Sequence, residues 1–177
     1  FYDNYVKKNY NRESHLELEF DKLFLSLIIP QLRNSEKNTE TGAKKRYAGL
    51  IKKDNKEKIV IVGLEAIRGD WTEAAQEFQK ELLLRIFKEE DILNFIKDFI
   101  KKINNGNLNN KLIYRKSIRK DLADYTKTTP PHVKAARKLK KLENNRIEYY
   151  ITKKGPEPIQ NLKNKIDYEH YINKQIK

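Results

Sequence analysis

The chain has 177 residues, 38% of them hydrophobic, and a formal net charge of +13, which leaves room for one domain or two small subdomains around a lean core. That charge selects a polyanion as partner, nucleic acid before an anionic membrane surface. With no cysteine, disulfides and thiolate metal sites are excluded and a cytoplasmic protein is expected. No apolar run reaches the length of a membrane span and no signal-peptide pattern is visible, so no membrane partner is expected. Methionine is absent even at the first position, and Phe1-Tyr2-Asp3 reads as a cut through a longer protein.

In chain order, residues 1–11 read as the tail of a helix. Leu16, Leu18 and Phe20 alternate with Glu17, Glu19 and Asp21, the period of a half-buried strand. The nearly all-apolar run Leu23 to Ile29 predicts a more buried strand, stopped by Pro30. A polar loop follows over 31–41. Lys45 to Ile51 predicts the next strand, Asp54-Asn55-Lys56 a hairpin turn, and Ile59 to Val62 a third strand. In a strand Lys45 and Tyr47 would share one face, and Lys44 and Arg46 the other. A Lys beside a Tyr can grip a phosphate or a groove edge; a solvated basic strand end is the plainer alternative.

After Gly63 the period changes. Asp70 or Thr72 can cap a helix in which Ala74, Phe78, Leu82 and Ile86 recur every four residues. A second helix runs from Glu90 to Ile103, stopped by Asn104-Asn105-Gly106-Asn107, and the pair is expected to lie antiparallel. Pro130-Pro131 opens a helix that would place Lys134, Arg137, Lys138 and Lys141 on one continuous cationic face. Ile147 to Thr152 predicts a strand, Gly155 to Pro158 a turn, and Asp167 to Ile176 a closing helix. The fold class is α+β: a small antiparallel sheet followed by a mainly helical section with a few short strands.

The charge is placed rather than spread. Between Lys111 and Lys141 eleven basic residues face two acids, whereas Asp70 to Ile100 holds eight acids and four bases. Lysines and arginines spaced along one segment suit contact with a phosphate backbone, and the candidates are Arg115, Lys116, Arg119, Lys120, Lys127, Lys134, Arg137, Lys138 and Lys141. Tyr114 and Tyr125, interleaved with them, can pack on sugars or fill core. There is no Gly-rich phosphate loop, zinc-protease motif or nucleophile motif. Of the three histidines, His132 has the best claim to a role because it borders the cationic helix; His15 and His170 read as structural. Glu17, Glu19 and Asp21 on one strand face can hold Mg²⁺ or remain a solvated, lysine-paired face.

Several stretches, taken in order, resemble a family B DNA polymerase of the bacterial polymerase II type. They are Lys44-Lys45-Arg46-Tyr47-Ala48-Gly49-Leu50, Gly63-Leu64-Glu65-Ala66-Ile67-Arg68-Gly69-Asp70, Tyr114-Arg115-Lys116, Tyr125, Pro130-Pro131-His132-Val133-Lys134-Ala135-Ala136, Gly155-Pro156-Glu157-Pro158 and Asp167-Tyr168-Glu169-His170-Tyr171. The resemblance covers nearly the whole chain. It implies that residues 1–63 are the end of the palm and 64–177 the thumb. Lys44, Lys45, Arg46 and Tyr47 would touch DNA near the primer end, and the thumb's basic stretches would hold the new duplex. It also places Glu19 and Asp21 near accessory carboxylates of the metal site. The family's metal-binding motifs, DxxSLYP and YGDTDS, do not occur here, so Mg²⁺ is expected in the parent enzyme without tight binding by this fragment, and the fragment alone is expected to be inactive. Primer–template DNA, the remainder of the polymerase chain and a sliding clamp are the implied partners, in the bacterial nucleoid. The competing reading is a stand-alone basic nucleic-acid-binding module without catalysis. A membrane-surface role is disfavoured because the cationic helix is poor in large apolar residues.

Overall fold

The computed structural model describes residues 2–17, 19–31, 45–126, 128–142 and 145–176. Helix α1 (Tyr2–Tyr10) precedes a three-stranded sheet of β1 (Phe24–Ile28), β2 (Tyr47–Lys53) and β3 (Lys56–Val62). The sheet is antiparallel in the order β1-β2-β3. Asp54 and Asn55 both take positive φ (52° and 58°), the backbone of a two-residue hairpin whose twist matches its strands.

The first sheet owes its packing to the Ala-Gly-Leu of the basic stretch. Ala48 and Leu50 are buried, Ala48 in a small core with Leu64 and Leu83. Gly49 is the residue over which the Phe24 ring lies, and a Cβ there would collide with that ring and meet the Ser26 carbonyl at 3.0 Å. Gly63 ends β3 with φ +64°, and a Cβ on it would strike the Lys45 carbonyl.

Helix α2 (Glu73–Phe87) is capped by Thr72, whose hydroxyl accepts the Ala75 N–H; Asp70 is not the cap. Helix α3 (Ile92–Asn104) is capped by Asp91, which accepts the N–H groups of Leu93 and Asn94 at 2.9 and 3.2 Å. The two helices meet through Phe78, Phe95 and Phe99, with ring centroids 5.0–5.9 Å apart. Arg85, late in α2, lies 4.8 Å over the Phe95 ring early in α3, so the pair runs antiparallel. Helix α2 is therefore buried twice. Leu83 and Phe87 pack on the first sheet, while Ala74 and Phe78 pack in a larger core with Phe99, Ile103, Leu112 and Tyr171.

A second antiparallel sheet, in the order β4-β5-β6, comprises β4 (Tyr114–Ser117), β5 (Arg146–Thr152) and β6 (Gly155–Pro158). Short helix α4 (Pro131–Ala136) seats Val133, Ala135 and Ala136 against Ile147 and Tyr149 of β5. Helix α5 (Tyr168–Tyr171) and a wider π-type turn, Ile172–Ile176, close the larger core. Tyr171 is fully buried, and its hydroxyl accepts the Ile151 N–H at 2.8 Å. No helix among the described residues is long and apolar enough to cross a membrane.

Several expectations are corrected. Among the described residues of 12–23 there is no strand, Leu16 and Phe20 are exposed, and Leu18 lies outside the described residues. Alternation alone does not hold a strand without a ladder partner, and among the described residues β1 pairs only with β2. The strand β1 is half-covered rather than buried: Leu23, Leu25, Leu27 and Ile29 are exposed on one side of it. Gly155 to Pro158 is a strand, β6, and the chain turns one step earlier at Lys153-Lys154. Prolines are tolerated there because β6 is an edge. Helix α4 stops at Ala136, so its cationic residues do not form one continuous face.

Glu157 is a buried carboxylate at that edge. It accepts the backbone N–H groups of Lys163 and Asn164 (2.9 and 3.0 Å) and the Asn164 side-chain amide, with the Lys138 ammonium 3.7 Å away. Burial pushes its pKa up, but these donors outweigh burial and hold it down at about 2, from an ordinary 4.5. Its stabilisation is thus complete above about pH 4.5 and lost as pH falls towards 2. Glu157→Gln is expected to cost about 1–3 kcal/mol at pH 7. Its deficit should shrink across that acid window, as read by denaturant melts of the chain at pH 7, 4 and 2.5. Gly63→Ala is expected to destabilise by about 2 kcal/mol or more, from the left-handed backbone and the clash with Lys45, measured in the same melts.

Candidate nucleic-acid interface

The cationic residues of the middle segment are gathered by the second sheet. In its register Arg115 faces Glu148 and Ser117 faces Arg146, while Lys116 faces Ile147 on the opposite side. The strand is fixed by Tyr114, which stacks between Tyr149 (5.4 Å, 19°) and Tyr171 (5.6 Å, 25°). The Tyr114 hydroxyl accepts the Gln175 amide at 2.7 Å and lies 3.3 Å from His170 Nε2. Gln175 in turn hydrogen-bonds the capping hydroxyl of Thr72. Burial pushes the Tyr114 phenol well up and Tyr149 up to about 12. Of the two open alternatives for Tyr114, the structure selects core.

Beside this strand lies a cleft of about 540 Å³, lined by Asp70, Arg115, Lys116, Arg119, Tyr125, His132 and Arg146 among others. It unites predicted Arg115, Lys116, Arg119 and His132 and adds Arg146 and Asp70. Arg115 is braced by Glu148 at 2.8 Å and lies 3.9 Å from Glu73. Lys116 lies 3.8 Å from Asp70, which the Arg68 guanidinium grips with two bonds of 2.8 and 2.9 Å. The Arg68 bond first, and the Lys116 charge with it, hold the Asp70 carboxyl below the usual range against the effect of burial. Arg119 and Arg146 form no ion pair among the described residues, so their full charge faces solvent. Tyr125 lines the wall and meets the His132 ring edge-on at 6.4 Å. Burial, then the Lys116 charge, hold the His132 imidazole below its ordinary pKa.

The other cationic candidates divide. Lys120 borders an adjoining depression with Arg119 and Asp121. Lys134 is exposed on α4 and Lys141 is exposed beyond it, neither ion-paired among the described residues. Arg137 follows the last residue of the helix, and its guanidinium donates to the carbonyls of Leu122 (2.8 Å) and Tyr125 (3.1 Å), fixing the segment that carries Tyr125. Lys138 reaches Glu157. Lys127 lies outside the described residues.

On the first sheet, Lys45 and Arg46 precede β2 instead of lying within it, so the expected sharing of strand faces does not hold; Lys44 lies outside the described residues. Lys45 is exposed. Arg46 is paired with Glu65 at 2.7 Å. Burial pushes the Glu65 carboxyl up, but its own backbone N–H, the Gln79 amide and Arg46 together bring it below the usual range. Tyr47 meets Phe24 edge-on at 5.9 Å.

The carboxylates Glu17, Glu19 and Asp21 share no strand face; all are exposed, and Asp21 pairs with Lys22 at 2.8 Å. No three His, Asp or Glu side chains among the described residues come together as a metal site. Glu19 and Asp21 are therefore not gathered with a third ligand among the described residues. His15 is exposed, and His170 packs half-buried against Tyr114 and Tyr171.

Arg146 escaped the sequence reading because it lies beyond the dense basic segment, and only the register with Ser117 brings it into the cleft. A basic residue opening a strand that pairs with a basic strand is the signal that could have found it.

Residues 3–177 match the sequence profile of DNA polymerase family B. The chain is 41% identical over 175 residues to the DNA polymerase II of Escherichia coli K12, covering 92% of this chain and 22% of that protein. It is 32% identical over 152 residues to DNA polymerase 2 of Aeropyrum pernix, covering 77% of this chain and 18% of that one. Its fold superposes with a TM-score of 0.67 on the family B DNA polymerase of Pyrobaculum calidifontis, at 25% identity over 98% of this chain and 22% of that structure. The chain thus spans about a fifth of the length of these relatives. With an ordered set of basic and glycine-containing stretches and a fold that both match over nearly its whole length, the chain belongs to DNA polymerase family B.

Proposed function

We propose that the chain is the duplex-gripping portion of a DNA polymerase that extends a primer 3′ end in replication or repair. Residues 1–63 form the end of the palm and 64–177 the thumb. The observation that carries this reading is the cleft in which Arg115, Lys116, Arg119 and Arg146 converge from β4, the segment after it and β5. No single deep pocket is needed for a backbone; a row of cations several ångströms apart follows successive phosphates and gives binding that is strong, salt-sensitive and indifferent to sequence. Lys120, Lys134 and Lys141 extend the same charge along the surface.

The start of β2 has a second role in this reading. Lys45 is free to reach a groove edge, while Arg46 is held by Glu65 and the Lys45 carbonyl abuts Gly63. A grip fixed in this way positions a primer terminus rather than adding bulk affinity. The nucleotidyl-transfer chemistry belongs to the remainder of the polymerase chain, the first partner of this portion. The exposed apolar row on β1 is consistent with a neighbour on that side, and a sliding clamp is a further candidate partner.

In the intact polymerase, the triple substitution Arg119→Ala, Lys134→Ala and Arg146→Ala is expected to weaken primer–template binding about tenfold or more at 0.15 M salt. It should also reduce the log–log salt slope by roughly 1 for each phosphate that is no longer neutralised. Fluorescence anisotropy across a salt series reads both, and an unchanged slope refutes the cleft as the backbone site. Lys45→Ala is expected to slow primer extension by about tenfold while duplex Kd moves by less than about threefold. Wild-type extension would remove the primer-end role.

A further inference from the structure

The cationic cleft contains one group whose charge is not fixed at neutral pH. His132, the second residue of α4, sits half-buried with its ring edge-on to Tyr125. From β4 the cleft receives Arg115 and Lys116, from the segment after it Arg119, and from β5 Arg146. The acid lining the same cleft is Asp70, from the turn before α2, and its carboxylate is already occupied by Arg68 and Lys116. On its own helix the nearest charge in sequence is Lys134. No carboxylate among the described residues forms an ion pair with the imidazole. A partly desolvated ring surrounded by permanent cations is disfavoured as a cation until an anion arrives.

We infer that His132 is neutral before DNA binds and takes up one proton from solution when a backbone phosphate enters the cleft, so that duplex affinity is tuned by pH through this ring. The inference rests on the reading of the cleft as the backbone-binding site. The proton comes from the buffer and adds to the ring nitrogen lone pair; no bond in the DNA is made or broken. The lowered pKa of the imidazole, set by burial and Lys116, agrees with a neutral ring in the free protein. A phosphate opposite the ring raises the pKa of the bound state. Affinity is therefore flat at high pH, rises as pH falls through the bound-state value, and levels off once the free ring is also charged. The imidazole is thus the group in the cleft through which pH acts on binding.

The test uses the intact polymerase and a primer–template duplex at constant ionic strength between pH 8.5 and 5.5. The wild type is expected to gain about 3–10-fold more affinity on acidification than His132→Gln, a tenfold gain corresponding to a ring pKa about one higher in the bound state than in the free protein. His132→Lys, charged throughout, should bind more tightly than wild type at pH 8.5 and show the flatter profile. Calorimetry of the wild type in two buffers of different ionisation enthalpy should show net proton uptake on binding near pH 6.5, with His132→Gln taking up less. Equal pH slopes and equal proton uptake in wild type and His132→Gln, while the Arg119, Lys134 and Arg146 triple variant still loses affinity, overturn the role of His132 and leave the cleft in place. Wild-type binding by the triple variant removes the cleft reading and this inference with it.

Discussion

The cationic strand of this chain depends on a stack of three phenol rings. Tyr114 lies between Tyr149 and Tyr171, and Tyr171 is sealed from solvent with its hydroxyl spent on a backbone N–H of β5. A ring so held admits little rotation of its strand, so Arg115 and Lys116, the next two residues, emerge on fixed sides. Offset aromatic pairs add modest directional energy to a large burial. The same tyrosine accepts from Gln175, which bonds the cap of α2, and so the end of the chain, the start of the main helix and the cationic strand share one arrangement.

Around that stack, charge is used in two ways. Some cations are consumed as structure: Arg46 on Glu65, Arg68 on Asp70 and Arg137 on two carbonyls. Others, such as Arg119, Arg146 and Lys134, keep their charge for solvent. Exposed ion pairs contribute little each to stability, and the geometry of those present is directed more at placing turns than at strengthening the fold. The Arg68–Asp70 fork places an acid in the lining of the cleft, where it tempers the local potential and orients Lys116.

The sequence disclosed those elements whose signals are local. Thr72 and Asp91 cap helices as short polar residues do before amphipathic runs, and Asp54-Asn55 makes the turn its composition announces. What escaped depends on partners distant in sequence. The alternation of Leu16 and Phe20 has the right period but no ladder to join, and Pro156 and Pro158 look like a turn until β5 supplies a neighbour. The charges after Pro131 repeat at helical spacing, yet α4 ends at Ala136, and Arg137 bonds carbonyls fifteen and twelve residues back in the chain. The dense basic segment identified the cleft's region, but the membership of Arg146 and Asp70 is a matter of sheet register and of a turn four elements earlier.

The double burial of α2 has a mechanical consequence. Its one side is bonded to the first sheet through Leu83 and Phe87, and its other side to the core that carries Tyr171. Arg46 clasps Glu65 just ahead of the helix, and the carbonyl of Lys45 rests against Gly63. The junction at residue 63 is thus braced on both flanks and is a poor hinge. The two sheets therefore share α2 as a common support, and neither can shift without disturbing the packing of the other.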